Sequence, residues 1–242
     1  MRRLLRIGLW LSVAGGVALA AAWLPDALAE LDYFRATELS VVGSRIVDVE
    51  EIIATASIPR YASVFDDVHS WERRLERHPL IRRARITREL PETLILTVEE
   101  RVPVALVANA LLSPVDRDGK VLPLDPSEHR MDLPLLRADL GGGELSTSQV
   151  RILAMEVERL TADDPSFMAA VSEIALDDKG DATVVVAGDV LVRFRPPLSH
   201  PRLRDGLTVL KDASRRRPDQ RAAIVDLRYA DQVVVSYASR SE

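Results

Sequence analysis

A run of alternating side chains between Arg88 and Val107 constrains the fold more than any other segment of the chain. Leu94, Leu96 and Val98 fall on one side of an extended backbone, whereas threonine, isoleucine and glutamate residues fall on the other. The proline-containing connection at 89–92 joins this strand to a preceding strand at 81–87, which predicts an antiparallel hairpin. The segment therefore requires a sheet with one buried face.

The residues upstream of this hairpin predict one strand and two helices. Residues 39–42 form a short apolar strand, and Asp48 is suited to cap the helix that follows it. The second helix begins near Asp66 or Asp67. Its predicted apolar face consists of Val68, Trp71 and Leu75. From Phe34 onward the predicted order is β-α-α-β-β.

The amino terminus predicts a membrane anchor. Arg2, Arg3 and Arg6 precede an apolar run over residues 7–24. With a rise of about 1.5 Å per residue, this run forms a helix of roughly 27 Å, just enough to cross a hydrocarbon core. Because basic residues precede the run and acidic residues follow it, the positive-inside rule places the amino terminus in the cytoplasm and the remaining residues outside.

A cleavable signal peptide is the alternative interpretation of the same segment. Ala27, Leu28 and Ala29 follow a helix-breaking Pro25 in a small-x-small pattern, which fits a signal-peptidase site. The apolar run is longer than most signal-peptide cores, and its length favours a retained anchor. Both interpretations export the body of the protein.

The second half of the chain predicts an α+β unit dominated by antiparallel strands. Residues 116–119 have the composition of a hairpin turn, and Ser146 with Gln149 fits a capping box at the start of a helix. A later helix carries apolar residues at helical spacing. Strands are predicted at 173–176, 183–186, 190–194, 224–229 and 233–237.

Composition and motifs argue against catalysis and against nucleic acid as a partner. The chain has a net charge of −5, no cysteine, and 4 histidines without metal-ligand spacing. Its sequence contains no phosphate-binding loop, dinucleotide fingerprint or nucleophile elbow. Turn formation explains the paired carboxylates Asp116 and Asp118. We therefore expect no enzymatic activity, no cofactor, no metal and no small-molecule substrate.

Several sequence strings resemble the FtsQ/DivIB family of bacterial cell-division proteins. VVGSRIVDVEEI and ERHPLIRRARITRELPETLILTVEERVPVAL resemble its POTRA domain, and LLSPVDRDGKVLPL, MDLPLL and IVDLRYADQVVVSYA resemble its later domain. The family often has Trp-Val at the positions of Leu80 and Ile81, and this chain retains a large apolar residue there. With the anchor, the resemblance implies a cytoplasmic tail at 1–6, a transmembrane helix at 7–24, a POTRA-like domain at 34–107 and an FtsQ-type carboxyl-terminal domain at 108–239.

The closing strand and the turn before it are the predicted partner-binding site. A terminal strand often lies at a sheet edge, where unpaired N–H and C=O groups accept the strand of another chain. In the FtsQ family this region binds the small single-span proteins FtsB and FtsL, and the resemblance implies the same role here. An inner core strand is the alternative. The predicted partner-binding residues are Tyr229, Asp231, Gln232, Val233, Val234, Val235 and Tyr237.

A basic patch at Arg82, Arg83 and Arg85 is a second candidate site. These arginines belong to a longer basic stretch that is interleaved with glutamates. One interpretation is a solvated face with local ion pairs, each contributing under about 1 kcal/mol. The other is a surface for anionic lipid headgroups or an acidic partner.

The sequence and the resemblance together predict a non-catalytic, single-pass protein of the cytoplasmic (inner) membrane, with its bulk in the periplasm at the division septum. Its expected role is to recruit and link divisome proteins that control septal cell-wall synthesis. The alternative is a secreted envelope protein, released after Ala29, that binds polypeptide or cell-wall glycan. A mature protein that begins at Met1 supports the anchor, and one that begins at Glu30 supports secretion.

Overall fold

The structure is a computed structural model in which the chain divides into two compact units between Arg101 and Val102. It describes residues 10, 15, 16, 23, 28–108, 111–128, 131–138, 144–187, 190–217 and 222–237. Within these ranges, no helix is both long and apolar enough to cross a membrane. The predicted membrane segment 7–24 lies almost entirely outside the described residues, so it stays a prediction.

The first unit has the β-α-α-β-β order that the sequence predicts. Its three-stranded sheet has the order β1-β3-β2, with β1 parallel to β3 and β3 antiparallel to β2. A 3₁₀ turn at Asp32–Phe34 precedes the sheet. The elements are β1 Glu38–Val42, α1 Val49–Ala56, α2 Val68–Leu75, β2 Ile81–Glu89 and β3 Thr93–Glu100.

The core of this unit lies between its sheet and its two helices. Leu94, Leu96 and Val98 are all buried, which confirms that the alternation in β3 marks an inner face. The predicted apolar face of α2 is buried as well. These contacts remove apolar side chains from water, each worth about 1.5–3 kcal/mol when fully buried.

Of the two helix starts in this unit, that of α2 has a side-chain cap and that of α1 does not. The helix α2 begins after Asp67, one of the two predicted starting points, and the Asp67 carboxylate accepts a hydrogen bond from His69 N at 3.1 Å. Asp48 occupies the cap position of α1, but its side chain makes no capping hydrogen bond. Instead, the Glu100 carboxylate accepts the N–H groups of residues 45–47 at 2.9 to 3.1 Å. A residue distant in sequence therefore orders the turn that leads into α1.

One side chain from α2 and one from the residue directly after it close the outer edge of β2. Glu72 Oε1 accepts Ile86 N at 2.7 Å, and Glu76 Oε1 accepts Ala84 N at 3.2 Å. Burial acts to raise the pKa of Glu72, but the Ile86 N–H and the adjacent His69 outweigh it, so the pKa is lowered. These bonds satisfy edge donors that another strand would otherwise pair with.

The second unit contains an eight-stranded sheet with the order β11-β10-β9-β8-β7-β6-β4-β5. The neighbours β4/β5, β7/β8, β8/β9 and β10/β11 are antiparallel, and β4/β6, β6/β7 and β9/β10 are parallel, so antiparallel pairing predominates. The strands are β4 Pro103–Ala108, β5 Leu112–Asp116, β6 Leu135–Arg137, β7 Val171–Leu176, β8 Ala182–Val186, β9 Val190–Phe194, β10 Ala222–Asp226 and β11 Val234–Tyr237. The helices are α3 Thr147–Asp163, α4 Pro165–Met168 and α5 His200–Arg216.

The second core includes a row of registered side chains that crosses the sheet. The row is paired strand by strand and consists of Leu136, Ile174, Val184, Val192 and Val225, each at most 2% exposed. Residues from α3, α4 and α5 belong to the same buried cluster, which places the helices over this face.

Two local predictions for the second unit are confirmed. Ser146 and Gln149 form the reciprocal capping box at the start of α3. The carboxylate of Asp116 accepts the N–H groups of Asp118 and Lys120 at 3.0 and 2.8 Å, and Gly119 has a φ of +77°. Residues 116–119 therefore form the predicted turn. A hairpin turn also implies a second strand after it, and here that strand is reduced to a single β-bridge between residues 115 and 121.

The boundary predicted after residue 107 is wrong by several residues. Strand β4 pairs with β5 and β6 in the second sheet, and the first unit ends at Arg101. Residues 93–107 form a nearly continuous alternating apolar pattern, which does not mark the point where the chain leaves one sheet for the other.

We predict that Glu72→Ala lowers the free energy of unfolding by about 1–3 kcal/mol, because Ile86 N loses its partner at a half-buried edge. Urea denaturation followed by tryptophan fluorescence measures this change. Glu72→Gln is the matched control, since its side-chain oxygen still accepts the hydrogen bond and the loss should be smaller. Equal losses in both variants would show that the charge of Glu72, rather than its acceptor, matters here.

Candidate partner-binding edge

The last strand, β11, lies at one edge of the eight-stranded sheet. It pairs with β10 on one side, and no strand of the described residues pairs with its other side. The sequence is compatible with an edge strand and with an inner strand, and among the described residues β11 is an edge strand. An open strand edge presents unpaired N–H and C=O groups to another chain.

The opposite edge of the same sheet, at β5, is partly closed by residues 120–122 of the same chain. Leu122 N donates to Pro114 O at 2.8 Å, and Asp116 N donates to Lys120 O at 3.0 Å. These bonds take up the outward backbone groups in the second half of β5. The two edges of the sheet therefore differ in the backbone groups that they offer.

The pairing of β10 shows which groups of β11 face outward. Leu227 N donates to Arg193 O at 2.7 Å, so Val225 and Leu227 direct their backbone groups toward β9. Strand geometry alternates, and the backbone of Asp226 therefore faces its register partner Val234 in β11. It follows that Val235 directs its N–H and C=O away from β10, toward the open edge.

The predicted site residues lie together in the turn and strand at this edge. Residues 229–232 form an exposed turn that contains Tyr229, Asp231 and Gln232. Val233 precedes β11 and packs against the core, and Val234 is 40% exposed. Val235 and Tyr237 are half-buried, and the Arg217 guanidinium lies 4.9 Å from the centre of the Tyr237 ring. The role of these residues in partner binding stays a prediction.

A network of charged side chains lies directly before this turn. Arg228 donates to Asp226 at 2.6 Å and to Asp181 at 3.0 Å, and Arg195 also donates to Asp181 at 3.0 Å. Both carboxylates are at most 9% exposed. The network joins the residue that precedes β8 to the residues that end β10, and it therefore fixes where the terminal turn begins.

The arginines lower the pKa values of both buried carboxyls. Burial acts to raise the pKa of Asp181, but hydrogen bonds from Arg228 and Arg195 outweigh it. The hydrogen bond from Arg228 is the largest cause of the lowered pKa of Asp226. The same two carboxylates raise the pKa of Arg228 above its ordinary value. All three groups therefore stay charged near neutral pH.

The candidate basic patch belongs to the first unit, on β2. Arg83 and Arg85 are exposed and alternate with buried residues, so they lie on the sheet face opposite the core. Arg82 is partly buried, and its Nε lies 3.8 Å from Glu99. The local ion pair fits the interpretation of a solvated face, and binding by the two exposed arginines stays a prediction.

The described residues contain no group of three histidine, cysteine or acidic side chains that could hold a metal ion. Among the histidines, His69 and His78 each contact a glutamate, at 2.7 and 3.1 Å. His129 lies outside the described residues.

Sequence reasoning missed Asp181, Arg195, Asp226 and Arg228 as neighbours of the site. Asp226 and Arg228 are two residues apart in an extended segment, and that spacing places both side chains on one face. Asp181 and Arg195 lie far from them in sequence. Only the pairing of β8, β9 and β10 brings the four together.

Comparison with known proteins agrees with this architecture. A family profile described as a POTRA domain of the FtsQ type matches residues 34–101, the range of the β-α-α-β-β unit. The cell division protein FtsQ of Rhodothermus marinus is 34% identical over 251 aligned residues, which cover 97% of this chain and 87% of the relative.

Two further relatives carry the same name. The cell division protein FtsQ of Syntrophotalea carbinolica is 30% identical over 204 residues, covering 80% of this chain and 72% of that protein. FtsQ of Myxococcus fulvus is 25% identical over 193 residues, or 76% of this chain and 65% of that protein. The fold is that of a POTRA-type module followed by a second α+β unit. The chain belongs to the FtsQ/DivIB family of cell-division proteins.

We predict that Arg228→Met lowers the free energy of unfolding at pH 7 by about 3 kcal/mol, because it leaves two buried carboxylates short of a partner. In the native protein the lowered pKa values of Asp181 and Asp226 add stability above the ordinary aspartate pKa of about 3.9. That contribution is lost as the pH falls through the folded-state values. Chemical denaturation should therefore show a difference between the two proteins that shrinks below about pH 4.

The control for this variant is Arg216→Gln, which removes an ion pair to Asp212 from a side chain that is 77% exposed. It should change stability by less than about 0.5 kcal/mol at every pH. A stability loss in Arg228→Met that does not vary with pH would show that Arg228 acts by packing rather than by charge.

Proposed function

We propose that this protein is a non-catalytic, membrane-anchored scaffold of the divisome that captures a strand of a partner protein at β11. The observation that supports this most is the outward backbone of Val235 on an open edge, in a sheet whose other edge is partly closed by residues 120–122. Strand addition supplies affinity through the main chain and specificity through alternate side chains. The family resemblance implies that the partners are small single-span proteins of the FtsB and FtsL type.

The side chains beside this edge suit such a partner. Val234 and Tyr229 are exposed on the strand and its turn. An added strand would bring its own apolar side chains next to Val234 and Ser236 on one face of the sheet. Backbone pairing and apolar contact would then contribute together.

We infer that this scaffold acts at the cytoplasmic membrane. The basic tail 1–6 and the apolar run 7–24 support an anchor in the cytoplasmic membrane, with both folded units in the periplasm at the septum. The POTRA-type unit would engage other division proteins, and the exposed Arg83 and Arg85 offer it a basic surface. Neither unit carries out chemistry in this proposal; the protein links partners that regulate septal cell-wall synthesis.

A secreted envelope protein is the second candidate, because the pattern at Ala27–Ala29 fits signal-peptidase cleavage. Mass spectrometry of the mature amino terminus separates the two. The anchored scaffold begins at Met1, whereas the secreted form begins at Glu30.

We predict that Val235→Pro abolishes binding of FtsB-like and FtsL-like proteins from the same organism and leaves the second unit folded. Proline removes the outward N–H, and proline is tolerated in an edge strand where that N–H faces solvent. Binding is measured by co-purification and by titration, and folding by circular dichroism and thermal unfolding.

Two controls accompany this variant. Val235→Ala changes the same side chain but keeps the N–H, so it should retain binding. Val234→Pro removes a donor that faces β10 and should destabilise the sheet itself. Normal binding by Val235→Pro would exclude strand addition at β11, and binding lost equally in Val235→Ala would assign recognition to the side chain.

A further inference from the structure

One guanidinium from α5 holds the turn between β10 and β11. The Nη2 group of Arg202 donates hydrogen bonds to the carbonyl oxygens of both Tyr229 and Gln232. These two carbonyls lie at opposite ends of the exposed turn 229–232. A single side chain from another element therefore fixes the path of the backbone as it enters β11.

Arg202 is itself held firmly, because it lies in the first turn of a docked helix. Leu203, the next residue, is fully buried, and Gly206 lies one turn further along the same helix. A Cβ at Gly206 would come within 2.7 Å of Leu227 Cδ2, which shows how closely α5 packs on the residues that follow β10. The position of the Arg202 backbone is thus set by the core and not by the turn.

The same helix also reaches the far end of the strand. Arg217 directly follows α5, and its guanidinium lies 4.9 Å from the Tyr237 ring centre at the end of β11. Among the described residues, the strand between these two contacts has backbone pairing on one side only. Arginines at the two ends of α5 therefore flank the proposed binding edge.

We propose that Arg202 is a positioning residue for strand capture, an inference that rests on the proposed function of β11. Residues 229–232 are all exposed and have little packing of their own, so the Arg202 hydrogen bonds order them before any partner arrives. Ordering a binding segment in advance lowers the entropic cost of association. Without Arg202, the edge strand begins from a looser turn, and the partner must order it.

This role differs from general support of the fold. The core around α5 depends on Leu203, Leu227 and Val225, each of which is at most 5% exposed. Removing the Arg202 side chain leaves those contacts in place. The loss should therefore be confined to the turn and β11, while β8 and β9 keep their protection.

The test is hydrogen–deuterium exchange on the full-length chain without a partner, followed by titration with the FtsB-like protein of the same organism. In Arg202→Ala we expect residues 233–237 to exchange about tenfold faster, with residues 182–194 unchanged, and the affinity to fall about tenfold. Arg202→Lys keeps a positive donor and should recover part of both losses. Arg204→Ala removes an exposed arginine of the same helix and should match the wild type.

The outcomes separate this inference from the proposed function. If the wild-type chain does not bind the FtsB-like protein, the proposed function fails, while the exchange data still show whether Arg202 orders β11. Wild-type exchange at 233–237 in Arg202→Ala overturns the positioning role. Faster exchange at 182–194 as well would overturn it too, since Arg202 would then support the whole sheet.

Discussion

Both units depend on how the backbone N–H and C=O groups at the edges of their sheets are hydrogen-bonded. Unpaired backbone N–H and C=O groups cost free energy when they are buried away from water. When they face solvent, they can pair with the strand of another chain. In the POTRA-type unit, Glu72 and Glu76 close the edge of β2 with carboxylates. In the second unit, residues 120–122 fold back along β5. At the edge formed by β11, no such device is found among the described residues, and this is the edge at which we propose that a partner strand binds.

Charged groups hold this edge in place without closing it. Arg228 ties the end of β10 to Asp181, and Arg202 binds the carbonyls of the turn that follows. Both arginines act on the approach to β11, and these hydrogen bonds are not made to β11 itself. Charged hydrogen bonds suit this task because they fix direction as well as distance, whereas apolar packing alone would bury the strand.

Much of the fold was predictable from patterns within short segments. The alternation at Leu94, Leu96 and Val98, the capping box at Ser146 and the turn at Asp116 each depend on residues close in sequence, and the structure confirms them. The side-chain cap predicted for Asp48 does not form, and Glu100, far along the chain, accepts the N–H groups of residues 45–47 just before α1. The boundary after residue 107 failed because consecutive strands of similar pattern enter different sheets.

The family, the β-α-α-β-β order and the apolar, β-branched character of the closing strand can be deduced from the amino-acid sequence alone. The three-dimensional structure was needed to show that this strand lies at the edge of the sheet among the described residues, that the backbone of Val235 faces outward, and that Arg202 and Arg228 contact the turn and the strand end beside it. Local periodicity records which side of a strand is buried, because burial selects residue type at each position. It does not record which strands are neighbours, because backbone hydrogen bonds look alike whatever side chains they carry.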